Sequence, residues 1–149
     1  MVKFKYMKRI IIYFYIAFCI SLADTVYHIP IEGTIDLGLP PFIERSIAEA
    51  EENNAKAIIF EVNTFGGRVD AATQIKDAIL DSKVPTVAFI NKRAISAGAL
   101  ISLSCEKVFM AGGATIGATT AVDMQGNKAS EKVISYMRCL LYTSPSPRD

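Results

Sequence analysis

The sequence is poor in the residues that most often bind metals and form disulfides. Its 149 residues include one histidine, three cysteines and no tryptophan. Cys19 lies in an apolar N-terminal run and Cys139 near the C-terminus, which leaves Cys105 alone in the body of the chain. A disulfide framework needs paired cysteines, and a structural zinc site needs clustered Cys and His. The sequence predicts neither, and we expect no cofactor.

Basic residues are scarce beyond the N-terminus. Four of the 16 Lys and Arg residues lie in the first nine positions, so 12 remain against 15 acidic residues, a net charge of −3. A nucleic-acid-binding domain would need a clear basic excess. We therefore expect no nucleic-acid partner.

Residues 1–23 are typical of a secretory signal peptide. The basic positions precede the apolar run Ile10–Ala23, which ends in the small-x-small pattern Ser21-Leu22-Ala23. The alternative is an uncleaved anchor helix, although the run is shorter than the ~20 residues that usually span a bilayer. Either interpretation places the chain from Asp24 onward outside the cytoplasm.

The C-terminal end differs from the rest of the chain. From Cys139 the sequence reads CLLYTSPSPRD, a Ser/Pro-rich stretch that resembles the read-through tail of a truncated reading frame. The alternative is a native disordered C-terminus. We predict one incomplete domain over residues 24–138 and a non-native tail over residues 139–149.

Between these ends, strand-like and helix-like segments alternate. The predicted strands are 26–31, 57–62, 85–90 and 107–110, and the predicted helices are 40–53, 71–80, 97–104 and 130–141. Such alternation indicates parallel β-α-β units with right-handed crossovers. The predicted fold class is α/β.

Two strand-to-helix joints contain the residues that are the strongest candidates for a catalytic role. In NTFGGRVDAA a strand runs into Gly66-Gly67, and in KRAISAGALI a strand runs into Ser96. Neighbouring parallel strands carry both joints to the same edge of the sheet, where open α/β sheets place their sites. Glycine allows close approach, and the N–H groups of a helix start can face an oxyanion. Taken alone, Gly-Gly is usually a turn and Ser before a helix is usually an N-cap.

Four blocks, in this order, resemble the Clp-protease/crotonase superfamily, and within it the membrane-bound serine proteases of the NfeD family. The blocks are IEGTID, AIIFEVNTFGGRVDAA, VPTVAFINKRAISAGALIS and IGATTAV. The resemblance covers most of residues 26–138. It implies a repeated β-β-α spiral fold that is truncated here at its C-terminus.

The resemblance implies a set of site residues. Ser96 corresponds to the nucleophile of a Ser-Lys dyad, and the Gly67 and Ala97 amides correspond to the oxyanion hole. Gly66 and Thr119 are the expected substrate contacts. The segment from Thr119 to Val122 is expected to pair with an extended peptide by strand addition.

The base of the dyad is less well defined by the sequence. A lysine must be desolvated to accept the serine proton, because a free lysine is protonated at neutral pH. The candidates are Lys107, Lys128 and Lys132, of which Lys132 lies where the family usually has its lysine-bearing segment. Some relatives place the lysine near the position of Arg138, and an arginine stays protonated.

The resemblance therefore predicts an exported, membrane-associated serine endopeptidase that acts on peptides or membrane proteins and assembles with copies of itself. Two alternatives stay open. A crotonase-type enzyme would use the same oxyanion geometry on an acyl-CoA, although an export signal argues against that cytoplasmic cofactor. A non-catalytic membrane scaffold would keep the fold without the dyad, and Arg138 favours this alternative.

Overall fold

The computed structural model describes residues 24–119 and 127–142, so the predicted signal segment lies outside the described residues. Within these ranges strands and helices alternate along the first two thirds of the chain. The elements are β1 (Val26–Ile35), α1 (Leu39–Glu52), β2 (Ala57–Gly67), α2 (Val69–Asp81), β3 (Thr86–Ile95), α3 (Ala97–Leu103), β4 (Lys107–Met110), β5 (Thr115–Gly117) and α4 (Glu131–Tyr142).

The strands form one parallel sheet in the order β1-β2-β3-β4, with β5 also paired to β3. β4 pairs with the first half of β3 and β5 with its last residues, so the two short strands share one edge of the longer one. Each parallel neighbour in the first half of the sheet follows a crossover helix, as parallel pairing requires. The predicted α/β class with parallel strands is confirmed.

β1, β2 and β3 each extend four or five residues beyond the predicted strands. The extensions are not apolar runs, and they contain register shifts between Glu32 and Thr34 of β1 and between Val62 and Thr64 of β2. Such irregularities re-aim side chains where a ladder continues. The extra length carries the ends of β2 and β3 directly into the two glycine- and serine-bearing joints.

One face of the sheet packs against the helices and forms the core. Side chains alternate along β2, with Ile58, Phe60 and Val62 fully buried on the helical side. Helix α1 begins with proline in its first turn, where the missing N–H costs no intrahelical bond, and it buries Ile43 and Ile47. This burial of large aliphatic side chains holds the joints at one edge of the sheet.

The opposite face of the sheet carries a row of polar contacts across three strands. His28 Nε2 lies 2.7 Å from Glu61 Oε2, and Asn91 donates to Glu61 Oε1 at 2.7 Å. His28 is thus a strand residue of β1. The Glu61 carboxylate is held from both sides on this face.

Helix α4 packs its apolar face against the body through Ile134, Met137 and Leu140. It continues to Tyr142, four residues into the segment interpreted as a tail, and residues 143–149 lie outside the described part of the chain. The boundary at residue 138 stays a prediction. Among residues 24–119 and 127–142, no helix combines the length and the apolar character needed to cross a membrane.

Candidate active site

Ser96 occupies a sharp turn between β3 and α3. Its backbone has φ of 55° and ψ of −113°, a conformation with positive φ that L-residues rarely adopt. The Ser96 N–H donates to the Gly117 carbonyl of β5 at 2.8 Å, and the Ser96 carbonyl accepts from Ala99 N at 3.0 Å. These bonds hold a strained residue in place, a feature that often accompanies functional sites.

The Ser96 hydroxyl does not act as a helix cap. An N-cap serine normally has extended backbone angles and accepts a hydrogen bond from an amide of the first turn. Ser96 has neither the angles nor the side-chain bond, and within the described residues its Oγ makes no hydrogen bond. The side chain is half-buried and available for other chemistry.

The Gly66-Gly67 joint packs directly against Ser96 and the end of β1. A Cβ atom on Gly66 would lie 2.8 Å from the Ser96 Cβ and 3.2 Å from the Ala97 nitrogen. A Cβ atom on Gly67 would lie 2.1 Å from the Ile35 carbonyl oxygen. Both positions therefore require glycine for close approach, and the predicted meeting of the two joints is observed.

Thr64 connects the two joints although it was not among the predicted site residues. Its buried hydroxyl donates to the Gly33 carbonyl and accepts from the Gly66 N–H at 2.9 Å. The Thr64 methyl group packs against Gly98 of α3. A Cβ atom added to Gly98 would lie only 2.4 Å from the Thr64 Cγ2 atom. The sequence signal was a polar residue at a position that the β2 alternation predicts to be buried.

The two expected oxyanion amides belong to the residues that follow Ser96 and Gly66 in the chain. Ala97 is the first residue of α3, and an amide in the first turn of a helix has no intrahelical acceptor. Gly67 is the last residue of β2, next to the glycine that touches Ser96. The arrangement brings Ser96, Gly66, Gly67 and Ala97 into one small region.

The lysine candidates are not buried against this region. Lys107, Lys128 and Lys132 are all exposed. Lys132 lies in the first turn of α4, on the side away from Ile134 and Met137, which face the body of the protein. Arg138 is also exposed. In the described residues, none of these side chains has the apolar surroundings that a neutral lysine needs.

The segment from Gly112 to Thr119 contains both turns and an unpredicted strand. Gly112 and Gly113 form a turn, whereas Gly117 ends β5 and its carbonyl accepts a hydrogen bond from the Ser96 N–H. β5 was missed because it is three residues long and mostly exposed. Thr119 is half-buried, and residues 120–122 of the expected peptide-pairing segment lie outside the described residues.

A groove runs beside the Gly-Gly joint, between the start of α2 and helix α4. It has a volume of about 630 Å³ and includes Arg68, Asp70 and Tyr136 in its lining. Arg68 donates to both carboxylate oxygens of Asp70, at 2.9 and 2.6 Å. This hydrogen bonding lowers the pKa of Asp70 and raises the pKa of Arg68.

With this geometry established, comparison with known proteins assigns the chain. Residues 25–144 match the family described as NfeD1b, N-terminal domain. The chain belongs to the NfeD family. It is 44% identical over 112 residues to Membrane protein NfeD1b of Bacillus subtilis, covering 75% of this chain and 26% of that protein. It is 37% identical over 119 residues to Membrane-bound protease PH1510 of Pyrococcus horikoshii, covering 75% of this chain and 27% of that protein.

Solved structures agree with the NfeD assignment and define the fold. A serine-to-alanine mutant of the 1510-N membrane-bound stomatin-specific protease superposes with a TM-score of 0.73 at 34% identity, covering 80% of this chain and 62% of that one. ClpP1 of Listeria monocytogenes superposes with a TM-score of 0.63 at 24% identity, covering 74% of this chain and 65% of that one. The ClpP-like fold is confirmed. The chain spans about a quarter of the length of its curated relatives.

Proposed function

We propose that this NfeD chain is the protease domain of an exported, membrane-associated serine endopeptidase in which Ser96 is the nucleophile. The observation that carries the proposal is the backbone of Ser96, which is strained, uncapped and pressed against Gly66. A serine that only capped a helix would need none of these features. The names of the relatives, a membrane protein and a membrane-bound protease, support a protease activity and membrane association.

In this proposal, the Gly67 and Ala97 amides stabilise the oxyanion that forms when Ser96 attacks a peptide carbonyl. Gly66 and Thr119 contact the substrate backbone. The substrate is a peptide or a membrane protein, by analogy with a relative solved with a substrate peptide as a lysine-to-alanine mutant. Self-association accompanies activity, as the family resemblance implies.

Lys132 is the proposed base, and its exposure adds a condition to the proposal. The Ser96 hydroxyl becomes nucleophilic only when a neighbouring group takes its proton, and a solvated lysine is already protonated at neutral pH. Lys132 must therefore be covered by further chain or by a second copy before the dyad works. We expect activity to depend on protein concentration or on the remainder of the chain.

The test is covalent labelling of the full chain by a serine-reactive fluorophosphonate. Wild type should label, Ser96→Ala should not, and Lys132→Ala should label at least roughly a hundredfold more slowly, the scale of losing a general base. Lys128→Ala is the matched control, since it removes an exposed lysine from the preceding loop and should label like wild type. Labelling of Ser96→Ala at the wild-type rate would refute Ser96 as nucleophile.

A second candidate is a non-catalytic scaffold with the same fold. The exposed positions of Lys132 and Arg138 favour it, since neither side chain is desolvated. Absence of wild-type labelling, together with unchanged cellular function in a Ser96→Ala strain, would select the scaffold. Detectable binding of an acyl-CoA would instead point to the crotonase-type alternative.

A further inference from the structure

A small cavity lies beside Arg93, three residues before Ser96 along β3, and plays no part in the proposed chemistry. Its volume is about 280 Å³, and its lining comes from the bulged ends of three strands. The lining residues are Gly33, Thr34, Asn63, Thr64, Phe65 and Arg93.

The register of the sheet creates this cavity. Val62 of β2 pairs with Ile90 of β3, but Thr64, only two residues on, pairs with Ala94. The three residues from Asn91 to Arg93 therefore oppose Asn63 alone. β1 has its own shift at Gly33, which has a φ of 74°. Both irregularities open the sheet around the Arg93 side chain.

Arg93 is a half-buried cation without an anionic partner among the described residues. Its guanidinium lies 4.5 Å from the centre of the Phe65 ring, which orients the plane of the group. Within residues 24–119 and 127–142 it makes no hydrogen bond or ion pair. A guanidinium has five N–H donors, and partial burial makes a fitting acceptor valuable.

The Glu61 carboxylate of β2 already has two partners. Glu61 accepts from Asn91 and contacts His28, with both distances at 2.7 Å. The Asn63 amide also lines the cavity, and in the described part of the chain it too has no hydrogen-bond partner. A planar cation and an amide donor face one small cavity, a donor set suited to a carboxylate.

The position of the cavity relates it to the substrate. A strand advances about 3.3 Å per residue, so Arg93 lies roughly 10 Å before Ser96. An extended peptide whose carbonyl reaches Ser96 covers this distance within two to four residues. Phe65 is 73% exposed beside the cavity and offers an apolar surface for the peptide in between.

We propose that the Arg93 cavity is a specificity site that binds a carboxylate of the substrate peptide, two to four residues from the cleaved bond. The carboxylate is an Asp or Glu side chain or the C-terminus of the peptide. The inference rests on the proposed peptidase function, because it takes Ser96 as the point of cleavage.

The test measures peptide binding to full-chain Ser96→Ala protein by fluorescence anisotropy. The probes are N-acetylated, C-amidated peptides with an apolar centre and one Glu, or one Gln in its place, scanned through positions within about four residues of the centre. A companion Gln set with a free C-terminus separates the two sources of carboxylate. We expect Glu to improve affinity roughly tenfold over Gln at one position, the scale of a charge-assisted hydrogen bond.

Variants of the cavity assign the preference to Arg93. Adding Arg93→Gln should abolish the Glu preference, whereas adding Lys92→Gln, which removes the same charge from an exposed neighbour outside the cavity, should preserve it. Arg93→Glu should transfer the preference to a Lys-containing peptide, a gain that a damaged fold would not produce. Preference for the free C-terminus alone would identify the chain end as the ligand.

Two results would overturn the inference. One is equal affinity for the Glu and Gln peptides at every position, including no measurable binding of either. The other is a Glu preference that survives Arg93→Gln. Failure of the peptidase proposal is scored separately by labelling and cleavage with wild-type protein. If the chain prefers the Glu peptide but is neither labelled nor able to cleave, the anion site is supported and the peptidase proposal is refuted.

Discussion

Two Gly-Gly pairs in this chain look alike in sequence and differ completely in their surroundings. Gly66 and Gly67 sit where an added Cβ would meet Ser96 or the backbone of Ile35 within 2.8 Å. A Cβ added at Gly112 or Gly113 would meet no atom of the described residues within 4 Å, apart from its own chain neighbours. The first pair is needed so that two strands and a helix can approach one another, and the second only forms a turn. Crowding, rather than composition, distinguishes the candidate site from an ordinary loop.

The largest expected effect is that of Gly67→Ala. The new methyl would overlap the Ile35 carbonyl, which is backbone and cannot rotate away, so we expect a loss of about 3 kcal/mol or more in the free energy of unfolding. Gly113→Ala is the matched control, with φ of 81° and open space, and should lose about 1 kcal/mol from backbone strain. Urea unfolding measures both, and equal losses would contradict the comparison.

Thr64→Val should have the next largest effect. Valine keeps the shape but removes the hydroxyl, which leaves the buried Gly66 N–H without its acceptor and the Gly33 carbonyl without its donor. We expect a loss of about 2 kcal/mol in urea unfolding. Thr73→Val, in which an α2 residue loses a bond to the Val69 carbonyl, is the control and should lose less. The idea fails if the two variants are equally stable.

The ionisation of the Cys105 thiol reports whether water reaches the region behind α3. Burial raises the pKa of its thiol to about 12 from an ordinary value of 9.0. The unfolded thiol therefore ionises at a lower pH than the folded one, so stability should fall as pH rises above 9, by roughly 1 kcal/mol between pH 9 and 10. Subtracting the same pH series for Cys105→Ala isolates this contribution. An identical pH dependence in the two proteins would show that the thiol is accessible.

Reactivity at neutral pH gives a second measure of the same closure. Cys105 is fully buried, whereas Cys139 lies exposed on α4. In a Cys19→Ser variant, we expect a thiol reagent to modify the exposed Cys139 rapidly and the buried Cys105 only after unfolding. Rapid modification of both thiols in the folded chain would indicate that α3 opens readily.

The smallest expected effect is that of Asp70→Asn, on the exposed side of the Gly-Gly joint. The Arg68 hydrogen bonds lower the pKa of Asp70, so the pair stabilises the fold above the unfolded pKa and this contribution disappears as pH falls through the folded pKa. Because both side chains are more than half exposed, the effect should be a slight reduction in Tm at pH 6 that vanishes in acid and shrinks in salt. Asp81→Asn, at the end of α2, is the control.

The periodicity of the sequence predicted every long strand and helix of the described fold, because Ile, Val and Leu recur at the spacing that buries one face. It did not predict where the strands end, since register shifts at Gly33 and Asn63 continue the ladder through polar residues. β5 escaped notice because three residues at a sheet edge carry no periodic signal.

The candidate site was predicted in part. The Gly-Gly and Ser-Ala-Gly blocks identified the two joints, and parallel topology brought them together. Thr64 and the proposed role of Arg93 were missed because both depend on register shifts that no local pattern encodes. The lysine base could not be fixed either, since its desolvation depends on what covers α4 rather than on the sequence around Lys132.

The all-parallel sheet has a consequence for how the chain folds. Val26 pairs with Ala57, about 30 residues away, and in the described sheet no two strands form a local hairpin. Pairing must wait until an intervening helix has closed the loop, so we expect slow folding that depends on distant contacts. During synthesis, β1 leaves the ribosome well before its partner exists. Until that partner is made, the unpaired edge of β1 can pair with other chains and aggregate. A chaperone or immediate export would shorten this interval.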